Sequence, residues 1–245
     1  IIKINYQYNS EKETMKLQLI ITIALLIASS LLFILAPQID KSVTRTLFQI
    51  YHFRMPYNSL IIVRNSLWPI IYLMSTILLI TLMYGIMKHN LRAILAPLFI
   101  VFVFSLGPGV IVNMILKDHS GRPRPYQTNL YGGNLTFQKS WEFSHECNSN
   151  CSFVGGESSC AFALFSLLFL IKKRRRKILA GIIISMYFAT ISYIRLTMGG
   201  HYLSDIVIGA ILIYLVILGC YQLFLIYLPK KLTRGCQYQQ TDNLT

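Results

Sequence analysis

The chain has 245 residues, of which 54% are hydrophobic and only 13% charged, and its 23 Lys and Arg against 9 Asp and Glu give a formal net charge of +14. Such a composition is too apolar for an ordinary soluble domain and predicts an integral membrane protein. The positive charge alone would suggest nucleic acid, but membrane topology accounts for most of it, so no nucleic-acid partner is expected.

In chain order, Met15-Lys16 followed by an apolar run reads like a translation start, which would make residues 1–14 an upstream extension. The first predicted span covers residues 17–36 and stops at Pro37, which cannot continue a helix. A loop over residues 37–66 carries Lys41, Arg45, Arg54 and Arg64. Further spans follow at residues 67–87 and 93–116, each long enough to cross about 30 Å of hydrocarbon. Residues 153–171 form a shorter apolar run that begins with Gly155, Gly156, Ser158 and Ser159, small polar residues that suit a helix start buried against protein. Two more spans are predicted at residues 178–194 and 206–228. The expected fold is therefore all-α, with about six transmembrane helices in a single domain over residues 1–245, and no repeat of 20 to 50 residues suggests a duplicated half.

Lys and Arg placement sets the orientation. The run KKRRRK at residues 172–177, with Lys88, Arg92, Lys230, Lys231 and Arg234, marks the cytoplasmic side and puts both termini there. The four basic residues of the 37–66 loop run against this rule, whose force weakens as loops lengthen. Counting crossings, Lys117 and Glu157 share one loop, and two further crossings return Arg195, His201 and Asp205 to the same external face.

These residues carry the chemistry. Lys117, Arg124 and Arg195 provide one ammonium and two guanidinium groups, matched to the charge and bidentate geometry of a phosphate. An ionisable residue at a span end is costly in lipid and is by default a functional candidate. Pro123 and Pro125 stiffen the loop around Arg124, and Arg122 is a candidate headgroup contact. His201 and Asp205, four residues apart at the start of the last span, share a helical face, so the carboxylate can orient the imidazole. Gly199 and Gly200 allow a ligand to approach the backbone closely. Gly155 and Gly156 can offer backbone N–H groups to an anion at a helix start. Cys147 and Cys151 bracket CNSNC in an external loop and are a candidate disulfide; two cysteines without a second ligand pair fall short of a zinc site, and no metal or cofactor is required.

The spacings Lys117-x6-Arg124-Pro125 and Arg195-x5-His201-x3-Asp205 resemble the active site of the type-2 phosphatidic acid phosphatase superfamily. That resemblance implies a metal-independent phosphatase acting through a phosphohistidine on His201. The middle motif departs from the family, since Val154, Gly155, Gly156 and Glu157 stand where Pro-Ser-Gly-His is usual. Glu157 then becomes the candidate general acid if its pKa is raised, with His119 and His145 as stand-ins. Gly107-Pro108-Gly109, KDHxGRPRP from Lys117, Cys147-x3-Cys151-Ser-Phe-Val and Gly199-Gly200-His201 resemble the bacterial lipid A 4′-phosphatase branch over residues 100–210 or so. This implies a lipid A substrate and an active site on the periplasmic face of the inner membrane. Undecaprenyl pyrophosphate or phosphatidylglycerophosphate phosphatases are the alternatives, with a non-catalytic lipid-binding or transport protein as a third.

Overall fold

A computed structural model describes residues 2–54 and 58–227, with the side chains of residues 13–54 and 60–224. The basic residues Lys230, Lys231 and Arg234, together with Cys236, lie outside the described residues. Among the described residues every regular element is a helix and there is no strand, as expected of the fold class.

Helix α1 (Ile2–Leu35) ends just before Pro37, and α2 (Gln38–Tyr51) follows in the loop for which no helix was anticipated. It is short and amphipathic, burying Asp40 and Thr44, one turn apart, on the face that meets α8 and α9. Helix α3 (Asn58–Asn65) leads into α4 (Leu67–Met87). Asn90 caps α5 (Leu91–Phe104), its side-chain oxygen accepting from the N–H groups of Arg92 and Ala93 at 3.1 and 3.3 Å. The ladder then widens into a π-helical stretch, Ser105–Leu116, around Pro108. Proline has no N–H to donate and crowds the carbonyl four residues back, so the preceding turn must open. The Asn113 amide donates to the Pro108 carbonyl at 2.8 Å inside that turn. A final turn, α6 (Lys117–His119), completes the span.

Helix α7 (Gly156–Ala163) starts beside α6 and continues as a 3-10 segment over Leu164–Phe169. Together these cover about 24 Å, shorter than a full hydrocarbon crossing. Helix α8 (Arg174–Thr197) returns toward the start of α7, and α9 (Leu203–Tyr221) runs back down the centre. Among the described residues five helical stretches are long and apolar enough to span a membrane: Glu13–Leu35, Leu60–Met87, Leu91–His119, Arg174–Thr197 and Leu203–Phe224. These match the five long runs read from the sequence, and the sixth is the short α7 hairpin arm.

Burial ranks the spans. More than half of the α9 window (56%) is inside the protein, against 6% for the Leu60–Met87 span, so α9 is the axis and α4 the periphery. Phe99, Ile100, Val103, Val112, Ile208 and Ile213 form the central core. Gly107 permits the close packing of the π stretch on α9, since a Cβ there would lie 2.9 Å from Ile213 Cδ1. The outward residues of α1 and α4, such as Ile20, Leu32, Leu73 and Ile80, are exposed and apolar, a surface suited to lipid and not to water.

Candidate active site

Four helix ends meet at one end of the bundle: the last turn of the α5–α6 span, the start of α7, the end of α8 and the start of α9. The KKRRRK run lies at the opposite ends of α7 and α8. Into this junction fold the loop over residues 120–155 and helix α2.

The junction rests on a buried ionic layer. Arg122 is 1% exposed. Its guanidinium donates to Asp40 at 2.8 Å, to Asp205 at 2.5 Å, to Ser204 Oγ at 2.8 Å and to the Gln138 carbonyl at 3.0 Å, and it stacks 4.2 Å over the Tyr202 ring. Burial works against its charge, but the Asp205 and Asp40 carboxylates outweigh that and hold its pKa above the usual guanidinium range. Arg122 is therefore walled off from any headgroup, which corrects the contact expected from the sequence. Asp40 also accepts from the N–H and hydroxyl of Ser204 at 2.9 and 2.6 Å, tying α2 to the start of α9.

Asp205 serves several neighbours at once. It caps its own helix by accepting from the Tyr202 N–H at 2.8 Å, and it accepts from the Ser152 hydroxyl and from Arg122. His201 is 1% exposed, and its Nδ1 lies 2.7 Å from the Ser152 carbonyl but 3.7 Å from Asp205 Oδ2. A carbonyl can only accept, so Nδ1 carries the proton and Nε2 holds the lone pair. The direct Asp205–His201 hydrogen bond anticipated from the four-residue spacing is replaced by an indirect one: Asp205 grips Ser152, and the Ser152 carbonyl grips the ring. Burial is the main reason the His201 pKa falls to about 4, with Asp205 opposing and the charges of Arg195 and Lys117 adding to the fall. The imidazole is neutral at ordinary pH.

Above this layer the cations gather. Asn150 holds two of them: its side-chain oxygen accepts from Lys117 Nζ at 3.3 Å and from Arg124 Nη2 at 2.8 Å, while its carbonyl accepts from Arg124 Nε and Nη2 at 3.2 and 2.9 Å. Asn150 belongs to the loop closed by the Cys147–Cys151 disulfide, whose Cα atoms are 5.8 Å apart, and the Cys151 N–H donates to the Lys117 carbonyl at 3.1 Å. Arg195, 6% exposed, lies against the backbone of Gly200, where a Cβ would come within 2.7 Å of Nη2. Its Nε is buried without a hydrogen-bond partner. Gly156 makes room for Lys117 in the same way, since a Cβ there would meet Nζ at 2.9 Å. The Gly155 N–H, expected to face an anion, donates instead to the Asp205 carbonyl at 3.2 Å, which leaves Gly156 as the first residue of α7 whose N–H could serve that role.

Glu157 sits among these cations but in the wrong arrangement for a proton donor. Its two oxygens accept from Arg64 Nε and Nη2 at 3.1 and 3.0 Å, and Oε1 lies 3.6 Å from Arg195 Nη1. A carboxylate accepting a guanidinium fork on both oxygens is a counter-ion, and the raised pKa that a general acid needs is not what this surrounding favours. Of its two stand-ins, His119 bonds the Ile115 carbonyl of its own helix at 2.9 Å, and His145 is exposed.

The geometry thus brings together Lys117, Arg124, Arg195, His201, Asp205, Gly156 and Glu157. The PAP2 superfamily model matches residues 98–227, more than half of the chain and the stretch holding all of these residues. The chain belongs to the PAP2 superfamily. Among its relatives, the protein named Lipid A 4'-phosphatase from Francisella tularensis subsp. novicida is 34% identical over 148 residues, 60% of this chain and 67% of that protein. Proteins of the same name from Rhizobium leguminosarum and Rhizobium etli are each 44% identical over 104 residues, 42% of this chain and 44% and 40% of their own lengths. The chain therefore spans two thirds of the first relative and less than half of the other two. No solved structure matches it. Two residues that shape this PAP2 site lie upstream of the matched stretch. Asp40 gave no signal in the sequence, and Arg64 stood out there only as a charge on the wrong side of the topology. Asn150 and Ser152 lie within it but belong to no catalytic spacing.

Proposed function

We propose that this PAP2 protein is an integral-membrane lipid phosphatase that removes the 4′-phosphate of lipid A or of its precursors. The observation that carries the reading is the charge imbalance above His201. Lys117 and Arg124 are held by a neutral asparagine, Arg195 keeps a buried Nε without a partner, and Glu157, the carboxylate among them, is shared with a fourth cation, Arg64. Such a pocket is short of negative charge, and a phosphate would supply it. The relatives named Lipid A 4'-phosphatase support the choice of lipid.

In this reading the phosphate lies between Lys117, Arg124, Arg195 and the amino-terminal N–H groups of α7. Nε2 of the neutral His201 attacks phosphorus as the bond to the sugar oxygen breaks and that oxygen takes a proton from water; a second water then hydrolyses the phosphohistidine, releasing phosphate and the neutral imidazole. The Ser152 carbonyl fixes the ring and would hold the imidazolium proton on Nδ1 through transfer, with Asp205 behind it. The three cations stabilise the charge that spreads over the phosphoryl oxygens. An apolar crevice of about 560 Å³ descends between α1 and α9 from Leu203 past Ile206, Val207 and Thr22 to Tyr214, so lipid tails can lie against the protein beside the site. The protein's membrane would be a bacterial inner membrane, with the site toward the periplasm and the termini in the cytoplasm. The disulfide at the site's end of the bundle and the KKRRRK run at the other support that orientation.

The test is mass spectrometry of bis-phosphorylated lipid A after incubation with purified protein. The expected product is lighter by one phosphate, with fragments placing the loss on the distal glucosamine. Intact lipid A beside brisk phosphate release from undecaprenyl pyrophosphate would move the assignment to a carrier-lipid phosphatase.

A further inference from the structure

Arg64 and Glu157 are 93 residues apart in sequence, and their fork-to-carboxylate contact joins the amino-terminal end of the second span to the first turn of α7. The same Oε1 that accepts from Arg64 Nη2 at 3.0 Å faces Arg195 Nη1 at 3.6 Å, so one carboxylate stands between two guanidinium groups. Both side chains are about one third exposed, 34% for Arg64 and 28% for Glu157, so the pair lies at the rim of the pocket and not in its floor. A carboxylate in that position is a problem for a phosphatase. It would repel an incoming phosphate dianion and compete with it for Arg195. Arg64 addresses both effects, since it neutralises the charge and holds both carboxylate oxygens in its fork.

We propose that Arg64 is a positioning residue of the phosphate site, neutralising and restraining Glu157 so that Arg195 is available to the substrate phosphate. The inference rests on the phosphatase reading above. Glu157 acts as a tethered stand-in anion: it satisfies part of Arg195 while the pocket is empty and yields when a dianion arrives. Arg64 itself need not touch the phosphate, because its effect runs through Glu157. It also follows that α3 and the start of the second span, which lie outside the stretch matched by the superfamily, set the affinity of the site.

The experiment is a double-mutant cycle on purified protein, with phosphate release from lipid A in mixed micelles and competitive inhibition by inorganic phosphate as readouts. Arg64→Ala leaves the carboxylate charged and loose, and is expected to raise both KM and the inhibition constant about tenfold or more, with kcat within about threefold. Arg64→Lys, which keeps the charge but loses the fork, should fall within about threefold of wild type on both. The decisive variant is Arg64→Ala/Glu157→Gln, in which the repelling charge is gone; KM and the inhibition constant are expected to return to within about threefold of wild type. A double variant as impaired as Arg64→Ala would assign the pair to scaffolding and overturn the proposal, as would an unchanged KM in Arg64→Ala. Should Arg64→Ala fail to fold, Glu157→Gln alone decides: tighter inhibition by inorganic phosphate is expected, and a kcat loss of about 100-fold would restore Glu157 as the acid and overturn the inference. Absence of phosphate release from any lipid by wild-type protein would remove the phosphatase reading itself, a distinct result from normal turnover with an insensitive Arg64.

Discussion

Arg122 and Arg124 are two residues apart in one proline-stiffened loop and have opposite fates. Arg122 is sealed beneath the site with two carboxylates, a serine hydroxyl and a carbonyl around it. Arg124 is only partly buried and is held by Asn150, which offers oxygens but no charge. A buried guanidinium that is fully neutralised is structure, because nothing can reach it and nothing is missing. One that is oriented but left with its charge uncancelled is prepared for an anion. His201 sits on the boundary between the two layers, with Nδ1 bound to the lower one through Ser152 and Nε2 left to the upper.

The largest test of that division is at the boundary. His201→Ala should reduce phosphate release by about 1,000-fold or more while the protein still extracts from the membrane folded. Retention of a tenth of wild-type activity would remove the histidine from the chemistry. Next comes the lower layer itself. Arg122→Ala strands two buried carboxylates and should cost about 3–5 kcal/mol of stability, read as a large drop in the melting temperature in detergent or as loss of folded protein. Adding Asp40→Asn should return part of that loss.

Arg124→Ala should do the reverse, lowering kcat/KM about 10- to 100-fold with little change in melting temperature. Equal effects of the two arginine variants on stability would collapse the distinction between the layers. A smaller effect concerns pH. The His201 pKa is about 4 when folded, because of burial, against about 6.5 in an unfolded chain. The unfolded state therefore binds a proton between those values that the folded state does not. This contribution to stability is complete above about pH 6.5 and is lost as pH falls toward 4. Wild type should lose more thermal stability than His201→Gln between pH 7 and pH 4.5, and parallel curves would contradict the buried neutral ring. The smallest effect is expected at the disulfide. Reduction of Cys147–Cys151 frees the loop that aims Asn150 at Lys117 and Arg124, and KM should rise several-fold with kcat nearly kept. Alkylation with and without reductant reports whether the bond had been present.

The spans and the meeting of the motifs were legible in the sequence, because a membrane helix needs an unbroken apolar length and because a costly charge at a span end announces itself. The layer beneath was not. Nothing in Gln38–Tyr51 marks Asp40 as the partner of an arginine 82 residues away, since a single acidic residue in a short amphipathic segment is usually solvated. Arg122 read as a headgroup contact for the same reason: proximity to Arg124 in sequence says nothing of which way a proline-flanked side chain turns. The role of Glu157 depended on Arg64, a pairing that only the folded chain brings about. Gly155 and Gly156 were read alike, yet one N–H is taken by the Asp205 carbonyl and the other is left at the helix start.

The contacts of Asp40 and Arg64 bear on how portable this site is. Transplanting residues 98–227, the matched stretch, into another membrane scaffold would carry Arg122 without Asp40 and Glu157 without Arg64. The graft would then hold in its foundation a guanidinium left with one of its two carboxylates, Asp205, and at its mouth a carboxylate left with Arg195 alone. A chimera meant to exchange headgroup recognition between relatives has to move the amino-terminal helices together with the motifs, or supply new partners for both charges.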